Sequence, residues 1–197
     1  MKKNSLLYLS IFSSVLVILY MFFQWKIVDI ITEFLMLPVI LIVFGFFVLI
    51  TILAIIILFK NKNWKPVVIQ IVTIILVFIV PFNQIILDID FKINKSKREQ
   101  VVKMVENGEL KPNVSYNSAL IHLPTKYKHL SSGGGDIVIE KSNNGYDILF
   151  FTYRGIPDNF SGFVYTVNDQ KTFTKAFNGD FKEIDKMDKN WFFVGSN

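Results

Sequence analysis

Three long stretches without a charged side chain fill the first part of the chain: 6–23, 34–59 and 67–87, of 18, 26 and 21 residues. A helix rises 1.5 Å per residue, so about 20 apolar residues cross a hydrocarbon core about 30 Å thick. Backbone in lipid must satisfy its own hydrogen bonds, which a helix does within one segment. The pattern therefore predicts three transmembrane helices, the second long enough to tilt. Pro38 falls in the opening turns of the second run and Pro81 near the end of the third, where a missing N–H costs least or makes a bend. Trp25 beside Lys26 and Trp64 beside Lys65 mark run ends, as amphipathic rings at a headgroup interface do.

Beyond residue 87 the pattern shortens. A polar connector, 88–95, leads to Ser96-Lys97-Arg98-Glu99, which matches a capping box. Val101, Val102, Met104 and Val105 form an apolar stripe and Asn107-Gly108 a stop, so a short amphipathic helix is expected over 97–106. After Pro112 come six β-type runs: 119–123, 137–140, 146–153, 163–167, 181–184 and 191–194. A hairpin is expected through Ser142-Asn143-Asn144-Gly145, because Asn-Gly accepts the positive φ of a tight turn, and a second through residues 186–190. The predicted fold is a membrane region, 1–87, followed by a small α+β domain, 88–197, of one helix and a mainly antiparallel sheet.

Composition sharpens this division. The chain is 52% hydrophobic and 19% charged, but residues 1–87 hold 8 charged side chains and 88–197 hold 29. The net charge of +5 splits into +4 and +1, so most of the excess flanks the apolar runs and reports topology; a nucleic-acid partner is not expected. The first run exits through Tyr20-Met21-Phe22-Phe23-Gln24-Trp25 without the small residues a signal peptidase needs, so it reads as a retained span. Basic flanks count five against five between the two sides. Dominance of the first helix, and the small weight of charges leading into a long translocated domain, favour a cytoplasmic N-terminus and an outer C-terminal domain. The abundance of Lys, Asn, Ile and Phe suggests an A+T-rich bacterial genome, so the expected location is a bacterial plasma membrane. With no cysteine there is no disulfide, no thiolate nucleophile and no Cys-based metal site.

Candidate chemistry is sparse. Gly133-Gly134-Gly135 leads into a strand and lacks a following GKS or GKT, so it reads as a turn and not a phosphate loop. His122, His129 and Asp136 recur every seven residues, yet Pro124 and the glycines forbid the helix that would align them, and no metal or other cofactor is expected. The 154–162 stretch is the most distinctive. Gly155, Pro157 and Gly162 are expected to fix its loop, and Arg154 either presents a two-pronged donor to a carboxylate or phosphate or pairs with Asp158. Arg154, Asp158, Phe160 and Trp191 are the candidate contact residues. Adjacent aromatics, Phe150/Phe151 and Phe192/Phe193, point to opposite faces of a strand, so either both faces are covered or one forms an exposed patch. The spans hold no ionisable residue, which argues against a transporter; Ser10, Ser13, Ser14, Thr51, Gln70 and Thr73 serve helix packing.

No catalytic constellation emerges. The leading expectation is a membrane-anchored binding or interaction module outside the cytoplasm, in contact with the bilayer and another envelope protein. Envelope accessory or toxin-immunity roles suit that layout. The alternatives are a tethered enzyme acting on envelope material through His122 or Asp136, distinguished by a concave pocket collecting His122, Asp136 and Arg154, and an accessory subunit of a larger membrane complex.

Overall fold

The computed structural model describes residues 3–142, 145–155, 159–168, 177 and 180–196. The chain divides into two compact units, Met1–Leu87 and Asp88–Asn197.

In the first unit, helix α1 runs from Lys3 to Asn61. A straight helix would separate Leu6 from Ile50 by about 66 Å. Instead Leu6 packs with Ile50 and Ala54, and the rings of Tyr20 and Phe44 lie 5.6 Å apart. The chain thus doubles back between two apolar segments, Ser5–Ile31 and Phe34–Asn61. Helix α2, Lys65–Ile79, packs on both. The predicted third helix, 67–87, is not one continuous element: α2 stops at Ile79 and α3, Phe82–Glu106, resumes after a 60° bend. Pro81 is the cause, since its ring drives the preceding Val80 out of the helical region to φ −79°, ψ 121°. Among the described residues, two helices are long and apolar enough to cross a membrane, or three if the bent pair is one span.

Polar side chains stitch this unit together. Gln70, fully buried, donates from Nε2 to Ser10 O (3.3 Å) and Ser13 Oγ (3.1 Å), and its Oε1 accepts from Thr51 (3.1 Å). Thr73 donates to Ser14 Oγ (2.7 Å), and Asn83 Oδ1 accepts from Gln24 (2.9 Å) and Trp25 (3.2 Å). The partners that join the first segment to α2 and the start of α3 are 57 to 60 residues apart in sequence at every level. That nearly constant offset means the two stretches run parallel and in step, across the Pro81 break, from Ser10 to Trp25.

In the second unit the helix predicted at 97–106 is part of the longer α3, and Ser96 is an exposed mid-helix residue rather than a cap. The helix bridges the presumed connector because Phe91, Arg98 and Val105 recur every seven residues on one buried stripe with Val101 and Val102. A charged residue in that stripe hid it from the hydrophobic pattern. Arg98 is only 2% exposed; it bonds Asp90 Oδ2 (2.5 Å), reaches Leu130 O (3.2 and 3.3 Å) and lies 4.5 Å over the Phe163 ring. Burial pushes its guanidinium below its ordinary pKa, and Asp90 opposes that shift. Helix α3 ends at the expected place, with Gly108 at φ +71°.

Six strands follow, β1 (Leu120–His122), β2 (Asp136–Ser142), β3 (Gly145–Arg154), β4 (Phe160–Tyr165), β5 (Phe181–Asp188) and β6 (Trp191–Ser196), one for each predicted run. They form one antiparallel sheet in the order β1-β2-β3-β4-β6-β5. Both faces are apolar. Phe150, Phe163 and Phe193 share one cross-strand row, beside Trp191 and Phe91 of α3. Leu149, Phe151, Val164, Phe192 and Val194 form a core on the other face, against which Phe160, Phe177, Phe181 and Ile184 pack. The expected choice between two covered faces and an exposed aromatic patch resolves toward burial for both adjacent pairs. Gly162 is a strand residue, not a loop residue: a Cβ there would meet Phe150 O at 2.3 Å, so only glycine permits this approach of β4 to β3.

Candidate functional site

The β1–β2 register sets His122 directly opposite Asp136 at one end of the sheet. Leu120 and Ile121 are both buried, and His122, at the end of β1, is exposed. Beyond β1, Asn113 takes the place of a neighbouring strand: its amide oxygen accepts from His122 N–H (2.7 Å) and its Nδ2 donates to His122 O (3.0 Å). The His122 backbone is held on both hydrogen-bonding groups by one side chain. Its ring is held as well, with Nδ1 2.7 Å from Asp136 Oδ1.

Arg154, the last residue of β3, approaches the other oxygen of the same carboxylate, NH1 to Oδ2 at 3.4 Å. Its guanidinium also lies 5.2 Å from the Phe151 ring centroid. The stem passes over Gly133, φ +72°, where a Cβ would sit 3.3 Å from Arg154 Cδ. The triple glycine therefore works as a turn, as its sequence context implied, and the turn gives Arg154 room. Ser131 braces the turn by donating to Asp136 O and accepting from Phe151 N–H at 2.8 Å. Asp136 is 14% exposed, whereas the side chains of His122 and Arg154 are 46% and 44% exposed. A carboxylate only accepts, so the ring donates from Nδ1. The cluster thus leaves part of an oriented imidazole and part of a guanidinium open to solvent.

The four residues proposed from sequence do not converge on one place. Arg154 and Phe160 are register partners at one end of β4, while Trp191 pairs with Tyr165 at the other, about 17 Å away along the strand. Phe160 is half-buried against Phe151 and Phe181. Asp158 and Pro157 lie outside the described residues. Arg154 takes Asp136, fourteen residues beyond His122, as its ionic partner. Trp191, 2% exposed, is a core residue; with Tyr165 and Val102 it lines a pocket of about 300 Å3 between α3 and the β5–β6 hairpin. Lys95 straps that pocket, paired with Asp188 and with Glu99 at 3.6 Å. Hydrogen bonding from Lys95 holds the Asp188 carboxyl below the usual carboxylate range, and the same bond raises Lys95. His129 is elsewhere, its Nε2 3.3 Å from Lys97 Nζ, and among the described residues no three His, Asp or Glu side chains are grouped to hold a metal ion.

Sequence reasoning missed Asn113 and Arg98. Nothing in the pattern around Pro112 betrays Asn113, because its role depends on the strand it caps. Arg98 was visible through its seven-residue spacing from Phe91 and Val105, had a charge been admitted to the stripe. Compared with protein-family models, curated proteins and solved structures, the chain matches none of them.

Proposed function

We propose that this is a bacterial plasma-membrane protein whose three helical spans hold a β-rich binding module outside the cytoplasm, in an envelope accessory or toxin-immunity role. The observation that carries the binding reading is the His122–Asp136–Arg154 cluster: the three residues named for the enzyme alternative do meet, but His122 and Arg154 stand nearly half exposed around a nearly buried carboxylate instead of being enclosed. The third span is supported by the constant 57-to-60-residue offset, which keeps α2 and the start of α3 beside the first segment down to Trp25. An odd number of spans puts the domain on the side opposite the N-terminus, and the positive-inside argument puts the N-terminus in the cytoplasm.

The chain has no cysteine, so single-cysteine variants are clean reporters. Tyr116 is 82% exposed and Asn61 is exposed at the end of α1. In intact cells with a permeable wall, Tyr116→Cys is expected to react with an impermeant maleimide and Asn61→Cys only after lysis. The reverse pattern refutes the topology. Crosslinking from the β3 end is expected to give one discrete envelope adduct that requires Arg154.

The second reading, a tethered enzyme on envelope material, draws on the 2.7 Å His122–Asp136 pair, which would give Nε2 the role of general base. Both flanking groups are almost half exposed, and the hydroxyl of Ser131 is engaged by Asp136 and Phe151. Turnover of an envelope substrate that is lost in His122→Ala would replace the binding reading with this one.

A further inference from the structure

The outward side of α3 carries a pattern of its own. Beyond Leu87 its solvent positions recur in steps of three and four: Ile89, Lys92, Ile93, Ser96, Lys97 and Gln100, every one exposed. Ile93 is 71% exposed and Ile89 50%, on the side opposite the buried stripe of Phe91, Arg98, Val101 and Val105. One turn apart, the two isoleucines make a continuous apolar strip. No acidic side chain shares that face. Asp90 turns to Arg98, while Asp88, seven residues before Lys95, and Glu99 lie on the Lys95 flank.

The segment packed beside this face extends its charge. Tyr127 donates to Gln100 Oε1 (3.3 Å), Lys126 Nζ lies 5.1 Å from the Tyr127 ring centroid, and His129 Nε2 is 3.3 Å from Lys97 Nζ. Residues 110–135 contain no acidic side chain, whereas residues 136–197 hold nine. Among the described residues, the ion pairs of this unit engage Lys95, Arg98, His122 and Arg154, and none engages Lys92, Lys97 or Lys126. The +1 total of residues 88–197 therefore conceals a face with three lysines and no carboxylate.

Its place along the chain selects the partner. The uncharged run ends at Leu87, so Ile89, Ile93 and Lys97 follow about 3, 9 and 15 Å later along the helix. A bilayer presents its acyl boundary first and its phosphates next, across a headgroup layer about 5 to 8 Å deep on each side. Isoleucine before lysine matches that order, and lysine stems are long enough to reach back to the phosphates. An acidic protein surface uses the lysines alone, and a neutral lipid uses the isoleucines alone. An anionic lipid surface uses both.

We propose that the 89–100 face of α3, with Lys126, is a docking surface for the anionic phospholipids of the protein's own bilayer. Ile89 and Ile93 enter the acyl boundary, and Lys92, Lys97 and Lys126 meet the headgroup phosphates. The inference rests on the membrane-anchored reading and adds which face of the domain meets the lipid. The hold is sensitive to salt, because charges at the surface act over a Debye length of about 8 Å at physiological ionic strength.

The test uses the full-length protein, whose lack of cysteine leaves a single reporter site in each variant. Ile93→Cys is labelled with a nitrobenzoxadiazole fluorophore in vesicles of equal parts phosphatidylcholine and phosphatidylglycerol. Either lipid carrying a nitroxide high on its acyl chain is expected to quench it, the phosphatidylglycerol form about threefold more strongly at equal content. Ile89→Cys is expected to behave alike, so the result does not hang on one position. Lys182→Cys, exposed on β5 and six residues from the Asp188 that Lys95 holds, is expected to stay unquenched. Combining Lys92→Gln, Lys97→Gln and Lys126→Gln is expected to equalise the two lipids. The proposal is overturned if Ile93 is quenched no more than Lys182, if the two lipids quench equally in the parent background, or if the triple variant keeps the preference. Protection of Ile93→Cys from maleimide in cells, with the same site unquenched in vesicles, identifies a protein occupant and overturns it too. A silent Ile93 with Tyr116→Cys labelled from outside removes this inference alone. Preferential quenching with Tyr116→Cys labelled only after lysis supports the lipid contact and removes the outside placement alone.

Discussion

His122 and Asp136 face each other across the first two strands, and their side chains meet at 2.7 Å with imidazole outside and carboxylate nearly buried. Fourteen residues of sequence, including the glycine turn, separate them, so their meeting is a product of strand register. The ring proton is expected to be held on Nδ1. Asp136→Asn should replace that single tautomer with a mixture, read from ring 15N shifts. Stability should fall by no more than about 1 kcal/mol, because Asn113 still holds the backbone of His122. An unchanged single tautomer would mean that Asp136 does not orient the ring.

Gln70 joins both segments of α1 to α2 through one amide. Interhelical hydrogen bonds inside membranes average about 0.6 kcal/mol and reach about 1.7. Gln70→Leu should therefore lower the stability of the full-length protein in detergent by about 1 to 2 kcal/mol. Ile71→Val on the exposed side of α2 should cost far less. Equal effects of the two would place no weight on the polar seam.

Arg98→Ala removes the donor to Leu130 O and the cation beside Asp90. Breaking a buried pair from one side costs about 3 to 5 kcal/mol; Asp90 is 36% exposed, which puts the expectation near 3. Arg98→Met with Asp90→Ala should recover part of that loss, because no charge is then left unpaired. Denaturant unfolding followed by the fluorescence of core Trp191 measures both. A loss under about 1 kcal/mol for Arg98→Ala would contradict its role as a tie between α3 and the sheet.

The Lys95–Asp188 pair predicts a pH window. A depressed carboxyl stabilises the fold above its unfolded pKa, and this is lost as pH falls through its lower folded value. A raised amine stabilises below its unfolded pKa, and this is lost as pH rises through its higher folded value. Both contributions are therefore present between about pH 4 and pH 10. Asp188→Asn should be less stable than the parent at pH 7, with the difference shrinking as pH falls below about 4. The difference should also shrink in 1 M salt, where the Debye length is about 3 Å. A gap that neither narrows with acid nor shrinks in salt would assign the effect to packing.

Hydrophobic periodicity alone located the apolar segments, the six strands and the glycine-terminated end of α3, because each depends on neighbours within a few residues. Proline chemistry left two outcomes open at Pro81, a tolerated missing N–H or a bend; the bend is a local steric effect, and that α2 stops there was not anticipated. The helix start was misplaced because Arg98 occupies a core position, and a charge becomes a core residue only when Asp90, Leu130 and Phe163 come together around it. The packing of aromatics on both sheet faces likewise needed the third dimension. Above all, the cluster of His122, Asp136 and Arg154 was decided by the β1–β2 register and by the end of β3. The sequence allowed these three side chains to be named together only as a conditional set, with nothing to show that they meet. Only long-range strand pairing, which no local pattern encodes, turned them into neighbours.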